Sequence, residues 1–214
     1  MKVFYKMGGL VMLTLLAISC GVEKSSDEEL TEKEVVEVKP APVLTDLRIV
    51  MKTDKGAIAA TMFASKAPIT VAAFLNLARR GFYDGLSFHR VVEDFVIQGG
   101  DPDGDGEGGP GYFLPNEIDP DLKHDKVGVF SMARKSKPDT AGSQFFITLG
   151  VAEHLDGGYS IFGEVTEGIE VVESIEVGDK ILGIEVLDST EALFAAQAEN
   201  LTKWNGILDQ RAVK

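Results

Sequence analysis

The order of apolar and polar residues predicts many short strands and few helices. Leu47, Ile49 and Met51 occupy alternate positions, as in a strand with one buried face. The following "TDKG" has the composition of a hairpin turn into "AIAATMF". Further strand patterns occur in "LSFHRVV", "FVIQGG", "VGVFSMA", "SQFFITLG", "YSIFGEV" and "KILGIEVLD", and Gly, Pro and Asp clusters separate them. Such a series is typical of a closed antiparallel barrel or sandwich rather than of alternating strand and helix units.

Two helices are predicted between these strands. The segment "SKAPITVAAFLNLARRGFYDG" offers Thr70 as an N-cap, an apolar face that includes Phe74, and Gly81 as the stop. A second short helix is predicted to begin near Gly168.

The segment from Ser189 to Lys214 has apolar residues at helical spacing, and Asp188 with Glu191 could form a capping pair. The pattern predicts an appended amphipathic helix. It packs either on the preceding domain or, as the alternative, on a partner or a second copy.

Composition narrows the class of protein. With 214 residues and 44% hydrophobic content, the chain can bury a good core, while a net charge of −13 and the absence of clustered Lys and Arg argue against nucleic-acid binding. The acids concentrate in residues 21–39, which contain no aromatic residue. We interpret residues 21–44, which end in "KPAPVL", as a disordered acidic tether.

The first 20 residues have the features of an export signal. Lys2 and Lys6 precede an apolar run of 12 residues, from Gly8 to Ser19, that is too short to span a bilayer as a helix, and Cys20 follows. The segment resembles a bacterial lipoprotein signal, which implies acylation of Cys20 and attachment to a membrane of the cell envelope. An ordinary signal with an incidental cysteine is the alternative.

Candidate metal chemistry is weak in this sequence. The three histidines are isolated, no H-x-x-x-H or C-x-x-C spacing exists, and we expect neither a metal nor a cofactor. The acidic loop "DPDGDGE" begins like a calcium loop, with Asp101, Asp103 and Asp105 at alternate positions, but Tyr112 stands where the closing Glu should be. Calcium binding therefore stays an alternative.

Three blocks carry the strongest signal: "SFHRVVEDFVIQGGDPDGDGEGGPGY", "FSMARKSKPDTAGSQFFITLG" and "EHLDGGYSIFGEV". In this order and spacing they resemble the cyclophilin family of peptidyl-prolyl cis/trans isomerases, over about residues 47–187. The resemblance implies a closed, antiparallel, eight-stranded barrel with two flanking helices. It also implies isomerisation of X–Pro bonds in proline-containing polypeptides, with no nucleophile and no cofactor.

The resemblance assigns a role to each matching residue. Arg90 takes the place of the catalytic arginine, and Gln98 matches the polar residue that supports it. The other positions match the substrate groove, and they are Phe95, Val96, Ala133, Arg134, Gln144, Phe146, His154, Leu155 and Tyr159. Arg134, His154 and Tyr159 stand where an Asn, a Trp and a His are common in the family. Loss of the indole at His154 implies weak binding of cyclosporin.

The predicted organisation is a signal at 1–20, a tether at 21–44, an isomerase domain at 45–188 and a C-terminal helix at 189–214. The leading functional hypothesis is an exported, lipid-anchored isomerase that assists the folding of envelope proteins. The alternative is a chaperone module that binds proline-containing segments with little need for turnover.

Overall fold

The computed structural model describes residues 43–212, so the predicted signal with Cys20 and nearly all of the tether lie outside the described residues. The elements in chain order are β1 (Leu47–Thr53), β2 (Gly56–Met62), α1 (Pro68–Arg79), β3 (Arg90–Val92), β4 (Val96–Gly99), β5 (Val129–Met132), β6 (Phe145–Thr148), a 3-10 helix (Glu153–Leu155), β7 (Ile161–Glu167), α2 (Ile169–Ser174), β8 (Ile181–Val186), α3 (Glu191–Ala196) and α4 (Ala198–Ala212). None of the helices in residues 43–212 has both the length and the apolar character needed to cross a bilayer.

The eight strands form one antiparallel sheet in the order β3-β4-β6-β5-β7-β2-β1-β8. Among the described residues, one isolated bridge between Ser87 and Lys180 and a few loop hydrogen bonds connect the two edges. The sheet is therefore a curled, open half-barrel, and the predicted closed barrel is wrong on this point. The seam stays open because β8 faces the irregular segment before β3 and not β3 itself. An irregular segment cannot continue a regular ladder of strand hydrogen bonds.

The predicted alternation in β1 and the hairpin into β2 are confirmed. Leu47, Ile49 and Met51 are buried, and Thr53 pairs with Gly56 across the turn. Side chains at alternate positions of a strand point to the same side of the sheet, so Leu47, Ile49 and Met51 enter the core together. The centre of the core is aromatic and consists of Phe74, Tyr83, Phe130, Phe145 and Phe162.

The N-terminus of α1 is capped differently from the sequence prediction. The helix begins at Pro68, and Thr70 lies within its first turn, where its hydroxyl has no hydrogen-bond partner in the described chain. The Glu117 carboxylate accepts hydrogen bonds from the backbone N–H groups of Ile69 at 2.9 Å and Thr70 at 2.7 Å. A loop acid therefore satisfies the free N–H groups and complements the positive end of the helix dipole.

The C-terminal segment forms two helices instead of the single predicted one, with a break at Gln197. Asp188 is not a cap as predicted, because it accepts hydrogen bonds from the guanidinium and backbone N–H of Arg48. Leu193, Trp204 and Leu208 are buried against the domain. The structure thus has the helix packed on the domain, as the first of the two interpretations predicted.

These two helices also explain why α1 is buried all round. Every residue from Thr70 to Ala78 is buried, although the sequence predicted one apolar face. The side away from the sheet meets α4, where Asn76 donates a hydrogen bond to Asn205 at 3.0 Å. Arg80 forms an ion pair with Asp209 on the same helix.

Candidate active site

Four predicted or neighbouring site residues lie in one row across the sheet. Arg90 on β3 pairs with Gln98 on β4, Gln98 with Phe146 on β6, and Phe146 with Ser131 on β5. Residues paired in register point to the same side of a sheet. We call the side of this row the groove face.

The neighbouring row points to the opposite side. It contains Val91, Ile97, Ile147 and Phe130, and the last three are fully buried. We call this side the core face. The same strands therefore supply the hydrophobic core and the candidate site at alternate positions.

A chain of hydrogen bonds fixes the polar part of the groove face. Arg90 Nη1 donates to Gln98 Oε1 at 3.1 Å, and Gln98 Nε2 donates to Gln144 Oε1 at 2.9 Å. Gln144 Nε2 in turn donates to the carbonyl of Gly108 at 2.9 Å. Arg90 is exposed, so a held guanidinium still presents N–H groups to a bound molecule.

Phe95 joins this group through a tight turn. Asp94, between β3 and β4, adopts the left-handed conformation with φ of 57°. The Arg90 guanidinium carbon lies 5.8 Å from the centre of the Phe95 ring. His154 stacks on the same Phe95 ring, with 5.4 Å between the two ring centroids.

Phe146 is held in place by two other rings. His124 stacks on it at 5.8 Å between centroids, and Tyr159 meets it edge-on at 6.0 Å. The Arg134 guanidinium lies over the Tyr159 ring at 4.5 Å and donates two hydrogen bonds to the carbonyl of Gly158, at 2.9 and 2.8 Å. The departures from the common family residues at 134 and 159 thus contact each other.

His124 is a site residue that the sequence prediction missed. The ring is fully buried, Nδ1 donates to the Asp156 carboxylate at 2.9 Å, and Nε2 lies 3.1 Å from the hydroxyl of Ser131. Burial lowers the pKa of His124, while the hydrogen bond and charge of Asp156 oppose that change. The partners lie 7 and 32 residues away in sequence, so short spacing motifs gave no signal.

The remaining predicted residues have different positions. Val96 is buried at 1% exposure and pairs with Thr148, whereas Leu155 is half-buried at the end of the 3-10 helix. Gln98, Ala133, Arg134 and Gln144 line a cavity of about 420 Å³ together with the Gly-rich loop. Apart from the buried Val96, the predicted residues therefore divide between an aromatic part around Phe95 and Phe146 and this cavity, which we call the loop cavity.

The acidic loop uses its carboxylates internally. Asp101 accepts hydrogen bonds from the backbone N–H groups of Asp103 and Gly106, and Asp105 accepts one from Glu107. Glu107 also pairs with Lys135 at 2.6 Å. Within residues 43–212, no group of three or more His, Cys, Asp or Glu side chains is arranged to hold a metal ion.

Comparison with known proteins agrees with the geometry. Residues 48–189 match the family model described as cyclophilin type peptidyl-prolyl cis-trans isomerase/CLD. The chain is 43% identical over 152 residues to peptidyl-prolyl cis-trans isomerase-like 1 of Rhizopus delemar, covering 70% of this chain and 87% of that protein. It is 46% identical over 140 residues to a peptidyl-prolyl cis-trans isomerase of Synechococcus elongatus, covering 64% and 94%.

A solved structure is also similar. A Cryptosporidium parvum cyclophilin type peptidyl-prolyl cis-trans isomerase, crystallised in the presence of the dipeptide Ala-Pro, aligns with a TM-score of 0.62 and 36% identity. The alignment covers 66% of this chain and 99% of that one.

Proposed function

The chain belongs to the cyclophilin-type peptidyl-prolyl cis-trans isomerase family and is an enzyme of that class, and from this premise we propose that Arg90 and the groove face accelerate rotation about X–Pro bonds by non-covalent means. The observation that supports this mechanism is the row in which Arg90, Gln98 and Phe146 pair across three strands. A cation and an apolar ring on one face can act together on one proline.

The proposed chemistry follows from amide conjugation. Rotation about an X–Pro bond breaks the conjugation and meets a barrier of about 18–20 kcal/mol. In the twisted transition state the prolyl nitrogen regains a lone pair, which the Arg90 guanidinium can meet with a hydrogen bond. Because neither planar isomer offers that acceptor, the contact lowers the barrier instead of tightening ground-state binding.

The aromatic part of the groove would hold the proline ring. Phe146 is 5% exposed and is fixed by His124 and Tyr159, so its ring forms a rigid apolar wall. Phe95 and Leu155 would complete the pocket, and Gln98 would bind the substrate backbone. A rigid pocket keeps the ring still while the other side of the bond rotates.

Substitution of Arg90 tests the mechanism. We expect Arg90→Ala to lower kcat/KM for an X–Pro peptide about 100-fold, the effect of removing one preorganised donor at a developing acceptor. Arg48→Ala is the matched control, because Arg48 is bonded to Asp188 instead of the groove residues. Full activity of Arg90→Ala would refute the mechanism. Undiminished rescue of an aggregating client by Arg90→Ala would favour the chaperone alternative.

The cellular role is a second part of the proposal: an exported lipoprotein that assists folding in the bacterial cell envelope. It is supported by the N-terminal sequence, in which an apolar run ends at Cys20. We expect the full-length protein to incorporate labelled palmitate and to sediment with membranes, and Cys20→Ala to do neither. Membrane attachment without label would contradict acylation at Cys20.

Weak binding of cyclosporin is the third part. His154, which stacks on Phe95, offers a smaller ring than the indole common in the family. We expect His154→Trp to tighten binding in a calorimetric titration while leaving isomerisation of a short peptide largely unchanged. Equal affinity of the His154 protein and the His154→Trp variant for cyclosporin would contradict the proposed effect of the ring at position 154.

A further inference from the structure

The C-terminal helix α4 reaches the loop cavity of the candidate site. That cavity, of about 420 Å³, is bounded by Gln98 and Gln144 on the groove side and by Arg211 of α4 on another. Arg211 lies beyond residue 189, where the match to the family ends. A segment appended to the isomerase domain therefore contributes a side chain to the wall beside the substrate groove.

Close packing fixes the Gly-rich loop against α4. Trp204 stacks on Tyr112 with 5.3 Å between ring centroids and 16° between planes. Gly111 has φ of +95°, and a Cβ on it would lie 2.9 Å from Arg211 Nη1 and 3.0 Å from Ile207 Cγ2. A side chain at position 111 would crowd Arg211 and Ile207 in a backbone conformation that favours glycine, so Gly111 allows the loop and the helix to approach closely.

Two adjacent carbonyls of the loop connect the helix to the groove. Gln144 Nε2 donates to the carbonyl of Gly108 at 2.9 Å, and Arg211 Nη1 donates to the carbonyl of Gly109 at 2.7 Å. Gln144 is also the acceptor for Gln98, which holds Arg90. A continuous series of contacts therefore runs from Arg90 to Arg211.

The charges at this cavity favour an anion. Lys135 is neutralised by Glu107, at 2.6 Å. Arg134 and Arg211 donate to backbone carbonyls, and neither forms a salt bridge with any residue in the range 43–212. Two guanidinium groups thus line the cavity against one remaining carboxylate, that of Asp103, in a protein of net charge −13.

We propose that α4 forms part of the substrate groove and that Arg211 is a specificity-determining residue, which favours X–Pro substrates with an acidic side chain close to the proline. The proposal rests on the isomerase function above. Arg211 positions the loop through Gly109, and its exposed guanidinium attracts a Glu or Asp side chain that enters the cavity. The partner is a polypeptide substrate whose acidic residue lies within one or two positions of the X–Pro pair.

A peptide series tests the preference on the full-length protein. Each peptide carries Glu, Gln or Ala at one of four positions, namely the two before and the two after the X–Pro pair. The kcat and KM values are measured separately for each peptide. We expect the unmodified protein to prefer Glu over Gln at one of these positions by about two- to fivefold, the effect of one exposed charge pair, and 0.5 M salt to reduce the preference.

Three substitutions of Arg211 separate charge from structure. We expect Arg211→Ala to abolish the preference for Glu through KM, Arg211→Lys to keep part of it, and Arg211→Glu to reverse it. Activity toward the Ala peptide serves as the internal reference in each variant, because loss of the hydrogen bond to the Gly109 carbonyl changes activity on all peptides by a common factor, and the preference is the Glu-to-Gln ratio within one variant. Lys203→Ala, which removes an equal charge from α4, is the matched control and should change nothing.

Two results would overturn the proposal: no preference for Glu at any position, or an equal loss on all peptides in Arg211→Ala with Arg211→Lys no better. A different failure tests the function itself. If the unmodified protein isomerises none of the peptides, the isomerase function fails, and the result does not depend on Arg211.

Discussion

The two faces of β4, β5 and β6 have different surroundings although the same strands form them. On the core face, Phe145, Ile147 and Phe130 are fully buried, and apolar side chains surround them. On the groove face, Phe146 stands beside Gln98, which hydrogen-bonds in series with two other polar side chains. Adjacent residues in one strand therefore have different environments, apolar on the core face and partly polar on the groove face.

This difference separates stability from activity. A core-face side chain contributes by removing its surface from water and by filling space. On the groove face, Arg90 and Gln98 are held in position by hydrogen bonds and still expose part of their surface. Substitutions on the two faces should consequently change different measured quantities.

The largest expected effect is on the core face. Phe145→Ala should lower the free energy of unfolding by about 3–5 kcal/mol, because the ring contacts Phe74, Tyr83, Phe88 and Phe130 and its loss leaves a cavity. Urea denaturation measures the change. A loss below about 1 kcal/mol would mean that the core closes around the missing ring.

Substitution of the next residue in the strand, Phe146, should reduce activity more than stability. Phe146→Ala should lower kcat/KM for an X–Pro peptide roughly thirtyfold, which corresponds to about 2 kcal/mol of lost apolar contact with the proline ring. Its unfolding free energy should fall less than that of Phe145→Ala, because water can enter the space from the groove. Equal loss of stability in the two variants would remove the distinction between the faces.

A smaller effect is expected from the polar part of the groove face. Gln98→Leu removes the acceptor for Arg90 and the donor to Gln144, and we expect kcat/KM to fall about tenfold, as for one charge-assisted hydrogen bond. The unfolding free energy should change little. Gln210→Leu, the same change at an exposed position of α4, is the control and should leave both quantities intact.

The smallest expected effect concerns pH. Burial lowers the pKa of His124 in the folded protein, so the unfolded chain binds the proton more readily and stability decreases as pH falls below about 6.5. His89 adds to this decrease, since burial lowers its pKa too, Arg90 lowers it further, and Asp101 and Asp105 oppose both effects.

Urea denaturation between pH 7 and pH 5 checks the contribution of His124. The His124→Gln variant should lose part of the decrease in stability over this range. A full decrease in His124→Gln would assign the whole effect to other groups. The pKa of the Asp156 carboxyl is also lowered in the folded protein. Its contribution to stability is therefore lost only at more acid pH, outside the range of this measurement.

Part of the candidate site could be predicted from the sequence because its residues lie in recognisable motifs. Arg90, Gln98 and Phe146 were identified in this way, and the structure brings them into one row. His124 was missed because its partners are distant along the chain, and Arg211 was missed because it lies in the appended segment, which carries no motif. The roles of these residues stay predictions until the variants are measured.

The sequence by itself determined the strands, the first hairpin and the presence of a C-terminal helical segment, because each depends on residue spacings within a few positions. Only the tertiary structure decided the open seam between β3 and β8, the capping of α1 by Glu117, and the contact of α4 with the Gly-rich loop. These features join residues tens of positions apart, and their geometry follows from how the whole chain packs. Local periodicity contains no information about such pairings.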